Sequence, residues 1–259
     1  MNKIMKTEPA VFAVGDTYQI MVGVTCPVLM WVRVGDECYY DDSNGILRSA
    51  VSTHRMTVPM EELDKAKRYT VCWRKIIERK PYFTETEDIE EAEFEFTPVT
   101  GDEIKAYHIA DAHNMVDAPV TAAKTFEKEV GQLDFLILNG DVPDHSGAIE
   151  NFDNIYEIIA KITHGKLPVV FSRGNHDTRG IYAENIAEHT PCENGNSFYS
   201  FRFGKLWGLV MDSGEDKEDW SDEYGNTVCC HAFRKRETAY LKNIIKKSTE
   251  EYDAPDTER

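Results

Sequence analysis

The chain reads as an all-β sandwich of fibronectin or immunoglobulin type over residues 1–100, followed by an α/β unit of sheets flanked by helices over 101–259. Three observations predict this. From Thr17 to Val99 apolar and polar residues alternate with period two, as in strands with one wet face. Beyond residue 100 short apolar runs alternate with helically spaced stripes, the rhythm of a largely parallel sheet. Between the two lies Thr97-Pro98-Val99-Thr100-Gly101-Asp102, where a proline and a glycine interrupt both patterns.

In the first unit, Tyr18, Ile20, Val22 and Val24 form one apolar face and Tyr69, Val71 and Trp73 another, while Phe94 and Phe96 alternate with Glu93 and Glu95. Asn44-Gly45, between Cys38-Tyr39-Tyr40 and Ile46-Leu47, supplies the positive backbone dihedrals of a tight hairpin. The acidic run Thr84 to Glu95 reads as a solvated edge strand kept from further pairing by its charge. No chemistry is expected in this unit.

In the second unit, Ala106 to Ala110, Leu133 to Leu138 and Leu167 to Phe171 have the length and composition of buried strands. Helices are expected over Val116 to Val130 and over Ala148 to Ile162, where Ile149, Phe152, Ile155, Ile158, Ile159 and Ile162 make an apolar stripe. Phe198 to Phe203 and Leu206 to Met211 pair about Gly204-Lys205, and a last helix is expected over Phe233 to Lys247. The polar tail from Ser248 to Arg259 is expected to be disordered or a linker.

The 259 residues carry a formal charge of -17. Such a polyanion repels nucleic-acid backbones and acidic membranes over a Debye length of about 8 Å, so neither is expected as a partner. No apolar stretch reaches the roughly 20 residues that span a bilayer, and no secretion signal is evident at the start. The six cysteines lack zinc-type spacing and read as reduced thiols, so a cytoplasmic setting is expected.

Three polar clusters follow the three buried strands: Asp111-Ala112-His113, Gly140-Asp141 and Gly174-Asn175-His176-Asp177. In a parallel sheet the loops after the strands gather at one edge, the usual seat of chemistry. Two divalent cations about 3.5 to 4 Å apart lower the pKa of a water and neutralise phosphoryl oxygens, and a carboxylate must bridge ions held so close. Asp141, between two other ligand-bearing strand ends, is placed for the bridge; Asp111 and His113 could meet one ion while Asn175 offers a carbonyl oxygen to the other.

In this order and spacing the three blocks resemble the calcineurin-like metallophosphoesterase superfamily over about residues 104 to 247, and a β-sandwich ahead of such a unit is similar in arrangement to purple acid phosphatases. The resemblance implies a hydrolase of small phosphorylated substrates, a phosphatase or phosphodiesterase. Its cofactors would be two divalent ions of Mn, Fe, Zn or Co, held by Asp111, His113, Asp141 and Asn175. It further implies that His176 assists the leaving group with Asp177 holding its ring, and that Asn175, His176 and Arg179 contact substrate. Arg173 and Arg179 could each clamp a phosphate or serve in ordinary ion pairs, and Asp144 and His145 could hydrogen-bond to the site or stabilise their loop. Asp144 stands where the purple enzymes carry a ligand tyrosine, so an iron-tyrosinate centre is not expected.

The pattern departs from the family after Met211, where the later His and the Gly-His-x-His turn do not occur and the only histidine is His231. The chain therefore reads as the first part of the family unit, impaired as it stands. The alternative is a non-catalytic binding or scaffold protein that kept the fold and lost the last ligands. Of the remaining residues, His108 is expected in the core, His54, His164 and His189 at the surface or at helix ends, and Trp220 on an exposed loop that could face substrate.

Overall fold

The computed structural model describes residues 4–255 and 257. The strand-rich region holds β1 (Ala10–Val14), β2 (Thr17–Gly23), β3 (Val28–Val34), β4 (Glu37–Tyr40), β5 (Asp42–Ser43), β6 (Ile46–Leu47) and β7 (Thr53–Pro59), then α1 (Met60–Ala66), β8 (Arg68–Lys80), β9 (Phe83–Thr86) and β10 (Glu90–Glu95). The α/β region follows with β11 (Ala106–Ile109), α2 (Asp117–Val130), β12 (Phe135–Asn139), α3 (Asp153–Thr163) and β13 (Pro168–Ser172). It continues with α4 (Ile186–His189), β14 (Tyr199–Phe203), β15 (Leu206–Val210) and α5 (Cys229–Lys246). The order of element types is that of the sequence patterns, with α1 an addition that no strong helical period announces.

The sheets are shared between the two regions. One runs β11-β12-β13-β1-β2-β7, and β1 joins β13 in parallel with Val11 opposite Pro168. The other runs β10-β8-β3-β4, with β9 on β8. Period-two alternation explains how one strand serves two cores. On β1, Val11 and Ala13 face the second sheet together with Tyr18, Ile20, Val32, Val71 and Trp73. Ala10 and Phe12 face the opposite way, onto the α2 and α3 side with Ile155, Ile158 and Ile159. The sandwich thus exists, and one of its layers continues as the α/β sheet. Each fully buried isoleucine of the α3 stripe stabilises this arrangement by about 1.5–3 kcal/mol relative to exposure.

Polar links tie the regions further. The Tyr69 hydroxyl donates to Gly165 O at 2.7 Å, just past the end of α3, and Lys6 pairs with Asp153 at 2.8 Å. At Asn44-Gly45 both φ angles are positive, 53° and 83°, as expected, but the paired arms are the two-residue strands β5 and β6. Cys38 to Tyr40 pairs back on β3 instead.

Several placements differ from the sequence reading. His108 is exposed, because β11 is the edge strand of its sheet. His54 is fully buried, with Nδ1 2.7 Å from Asp41 Oδ2, and His189 is buried against the Phe152 ring with Nδ1 2.8 Å from Thr53 Oγ1. Single histidines in polar surroundings carry no periodic signal of burial. The tail, expected to be disordered, packs on β14 and β15 over its described residues. Trp207 Nε1 donates to Glu251 Oε2 at 2.9 Å, Arg202 donates to Glu251 O at 2.6 Å, and the Trp207 and Tyr252 rings lie 5.5 Å apart. The aromatic rings and arginine of a short hairpin supply the partners that the tail's own composition lacks. Residues 256, 258 and 259 lie outside the described residues. Among the described residues, no helix is long and apolar enough to cross a membrane.

Candidate metal centre

The centre is built on β11, β12 and β13, adjacent and parallel, so their carboxyl ends meet at one edge. Backbone hydrogen bonds stitch the first two loops together: Asp111 N to Gly140 O at 3.2 Å, His113 N to Asp141 O at 3.0 Å and Asn114 N to Val142 O at 3.0 Å. Asp111, His113, Asn114 and Asp141 all take positive φ, between 44° and 64°. That conformation costs an L residue of order 1–3 kcal/mol and persists only where the surroundings enforce it, which is typical of functional sites.

The second and third loops touch through glycine. A Cβ on Gly140 would lie 2.7 Å from Gly174 Cα, and one on Gly174 would lie 2.7 Å from Asp141 N and collide with Asp141 Oδ1. The glycine before Asp141 and the glycine before Asn175 therefore let two strand ends approach closely enough to share ligands. Asp141 is buried, and its Oδ1 accepts the His176 amide at 2.8 Å.

One ligand atom each from His113, Asp141 and His176 lies within 4.8 Å of the other two. Two imidazoles and a carboxylate suit a transition-metal cation, so the donor chemistry fits the ions inferred from the sequence. The membership differs from the sequence reading, because His176 stands inside this tight group. Asp111 sits at the rim, largely exposed, with Oδ1 3.7 Å from His113 Nε2. The side-chain amide of Asn175 turns outward and donates to Asp216 Oδ2 at 3.1 Å.

Asp144 aims both imidazoles. Its Oδ1 lies 3.1 Å from His113 Nδ1, which leaves Nε2 of that ring toward the centre, and its carbonyl accepts from His176 Nδ1 at 2.6 Å. A carboxylate or carbonyl on the far ring nitrogen fixes tautomer and orientation. Its amide also donates to Asn114 Oδ1 at 3.0 Å, so the two roles weighed for Asp144 coexist. The other His176 nitrogen, Nε2, takes a hydrogen bond from Arg179 Nη1 at 2.9 Å.

Asp177 does not hold the His176 ring. It is fully buried beneath the loops, where Oδ2 accepts Gly174 N at 2.7 Å and Asp141 N at 3.1 Å. Burial pushes its carboxyl up to about 7, against the opposing pull of those two amides. Adjacent residues on a short 3₁₀ turn point to different sides, and here the aspartate points inward to clamp the loops while His176 faces the cluster. Arg173 serves structure too: Nε is 2.8 Å from Asp212 Oδ2 and the guanidinium lies 5.3 Å over the Phe233 ring. Arg179 reaches the site but is committed, with Nη2 3.0 Å from Asp216 and Nε 3.2 Å from Glu223. Sequence reasoning missed Asp216 and Glu223. The acidic run 215–223 was visible, but nothing in it indicated that the loop folds back over the third cluster. Trp220 is 65% exposed, as expected of a loop residue.

Residues 104–256, more than half of the chain, match the family model described as calcineurin-like phosphoesterase. Among solved structures the chain is similar to the purple acid phosphatase PPD1 from seeds of yellow lupin (Lupinus luteus), with a TM-score of 0.51 and 12% identity. That match covers 85% of this chain and 46% of the lupin protein, so the likeness is one of fold and the chain spans less than half the length of that relative. No curated protein matches.

Proposed function

We propose, for a chain that belongs to the calcineurin-like phosphoesterase family, metal-dependent hydrolysis of small phosphorylated substrates at the cluster where β11, β12 and β13 end. The observation that carries this reading is the convergence of His113, Asp141 and His176 within 4.8 Å. His113 and Asp141 would hold one divalent ion, with Asp111 closing in from the rim, and Asp141 with Asn175 would hold a second. When bound, such ions lower the pKa of a water nucleophile and neutralise phosphoryl oxygens.

The chain's own groups orient and donate. Asp144 keeps His113 Nε2 toward the centre through the bond to Nδ1. Asp177 holds the backbone of Asp141 and Gly174 so that the Asp141 carboxylate stays between the loops. His176, steered by the Asp144 carbonyl, is the group suited to hydrogen-bond a departing oxygen once Arg179 leaves its Nε2. Arg179 carries the guanidinium closest to that imidazole and is the candidate phosphate contact.

The test is Asp141→Asn in the complete protein. Hydrolysis of p-nitrophenyl phosphate with added Mn(II) is expected to fall at least about a hundredfold, because a shared anionic ligand is lost. Near-normal turnover in that variant would remove Asp141 from the centre and with it this reading.

A further inference from the structure

Three nitrogen donors converge on a single oxygen beside the candidate centre. Asp216 Oδ2 accepts from Asn175 Nδ2 at 3.1 Å and from Arg179 Nη2 at 3.0 Å, and it also pairs with the ammonium of Lys217. One arm comes from the third polar cluster, one from the turn just after it, and one from the loop that follows β15. A tripod of charged and amide donors around one oxygen is the arrangement that captures a phosphoryl or other tetrahedral oxyanion.

We propose that Asn175, Arg179 and Lys217 form an oxyanion subsite for the phosphoryl group of the ligand, and that the Asp216 side chain occupies it as an internal competitor. The inference rests on the phosphoesterase reading for the identity of the ligand, and it adds a device that the reading does not contain. Asp216 is only partly screened from solvent, so its side chain can rotate outward without breaking a core. Its place is held from outside the subsite. The Tyr224 hydroxyl accepts the Asp216 and Lys217 amides at 3.1 and 3.3 Å and donates to Asp216 Oδ1 at 3.4 Å. Arg234 of α5 anchors the same loop through Glu215 at 3.0 Å and Asp219 at 2.8 Å.

The charge balance explains why an internal plug is useful here. Arg179 also binds Glu223 at 3.2 Å, so its charge is doubly answered by the loop. An incoming dianion must displace Asp216 to reach the donors, and a weakly charged ligand cannot. The plug therefore selects for ligands with a dense local charge, which a phosphomonoester has and a singly charged diester lacks.

Orthophosphate titrated calorimetrically into metal-free protein, at fixed ionic strength, tests this. Asp216→Ser is expected to bind phosphate about tenfold or more tighter than the parent protein. Glu218→Gln, which removes a charge from the same loop outside the tripod, is expected to change it by less than about twofold. Arg179→Leu on the Asp216→Ser background is expected to abolish the gain. A second variant, Tyr224→Phe, frees the loop while keeping the carboxylate, and a gain in the same direction is expected there; it serves if Asp216→Ser does not fold. No gain in the Asp216 variant or, should that variant not fold, none in Tyr224→Phe, or a gain that Glu218→Gln reproduces or that survives loss of Arg179, overturns the proposal. The phosphoesterase reading fails separately, by absence of Mn(II) binding at the His113 and Asp141 cluster in the same preparations.

Discussion

Adding one methyl group at Gly174 tests the centre without substituting a candidate ligand. In Gly174→Ala the new Cβ would stand 2.7 Å from Asp141 N and 2.9 Å from Asp141 Cγ, and closer still to Oδ1. Real Cβ atoms do not come within 3.0 Å of such neighbours, so the Asp141 side chain or the loop must move. The backbone cannot yield easily, since Gly174 N is tied to Asp177 Oδ2 at 2.7 Å and the facing residue is Gly140. Overpacking of this kind costs about 1–3 kcal/mol. Displacing Asp141 also strains its charged bond from the His176 amide, worth about 1.5–3 kcal/mol when fully lost. Partial relief of each leaves an expected destabilisation of about 2–4 kcal/mol, and the displaced carboxylate should weaken Mn(II) binding by about 10–100-fold. Urea unfolding and Mn(II) titration monitored by electron paramagnetic resonance measure the two effects on one preparation. Gly35→Ala is the control, because a Cβ there meets nothing within 4 Å and only the cost of φ +59° remains. Wild-type stability and metal affinity in Gly174→Ala would refute the glycine contact as the element that brings the two loops together.

Two further outcomes are expected away from the site. Burial pushes the His189 imidazole down from 6.5 to about 4, so the unfolded chain takes up a proton that the folded chain resists. The stability so contributed is present above about pH 6.5 and is lost as pH falls through about 4, amounting to no more than about 3 kcal/mol. His189→Gln should flatten the slope of unfolding free energy against pH in that window, and an unchanged slope would show that His189 protonates freely in the folded state. Tyr69→Phe leaves Gly165 O without its 2.7 Å donor in a buried seam between the second sheet and the end of α3, and should lower urea stability by about 1–2 kcal/mol. A loss below about 0.3 kcal/mol would mean that water replaces the hydroxyl.

Much of this was legible because the relevant signals are local. The change from period two to helical stripes located the strand-rich and α/β regions, since Tyr18, Ile20, Val22 and Val24 alternate along one face and Ile155, Ile158, Ile159 and Ile162 wind around one helix face. The three polar clusters announced themselves by following apolar runs. What stayed hidden depends on contacts between distant segments. A strand such as β1 is apolar on both faces, a composition that fits a buried strand in any sheet, and nothing in Ala10–Val14 says that its parallel neighbour is Pro168 onward. The direction of Asp177, inward rather than toward the His176 ring, is set by a 3₁₀ turn of three residues that sequence periodicity is too coarse to resolve. The embrace of Arg179 by Asp216 and Glu223 spans about forty residues, and the acidic run that supplies it looks like any solvated loop.

The same ion pairs bear on what the centre must do. The chain carries a formal charge of -17, and a phosphate approaching it meets a repulsive field that only local cations can overcome within the roughly 8 Å over which charges act at physiological salt. The cationic side chains ranged around the third cluster are already answered: Arg173 by Asp212, Arg179 by Asp216 and Glu223, and Lys217 by Asp216. Each of those pairs must loosen before its cation can help an anion, and the freed carboxylate then stays nearby. Side chains alone therefore supply little net positive charge at the place where phosphoryl oxygens would lie. On the proposed reading, divalent cations held by His113, Asp141 and their neighbours would reverse the local sign at once, and hydrolysis would then depend on added metal far more steeply than on any single arginine.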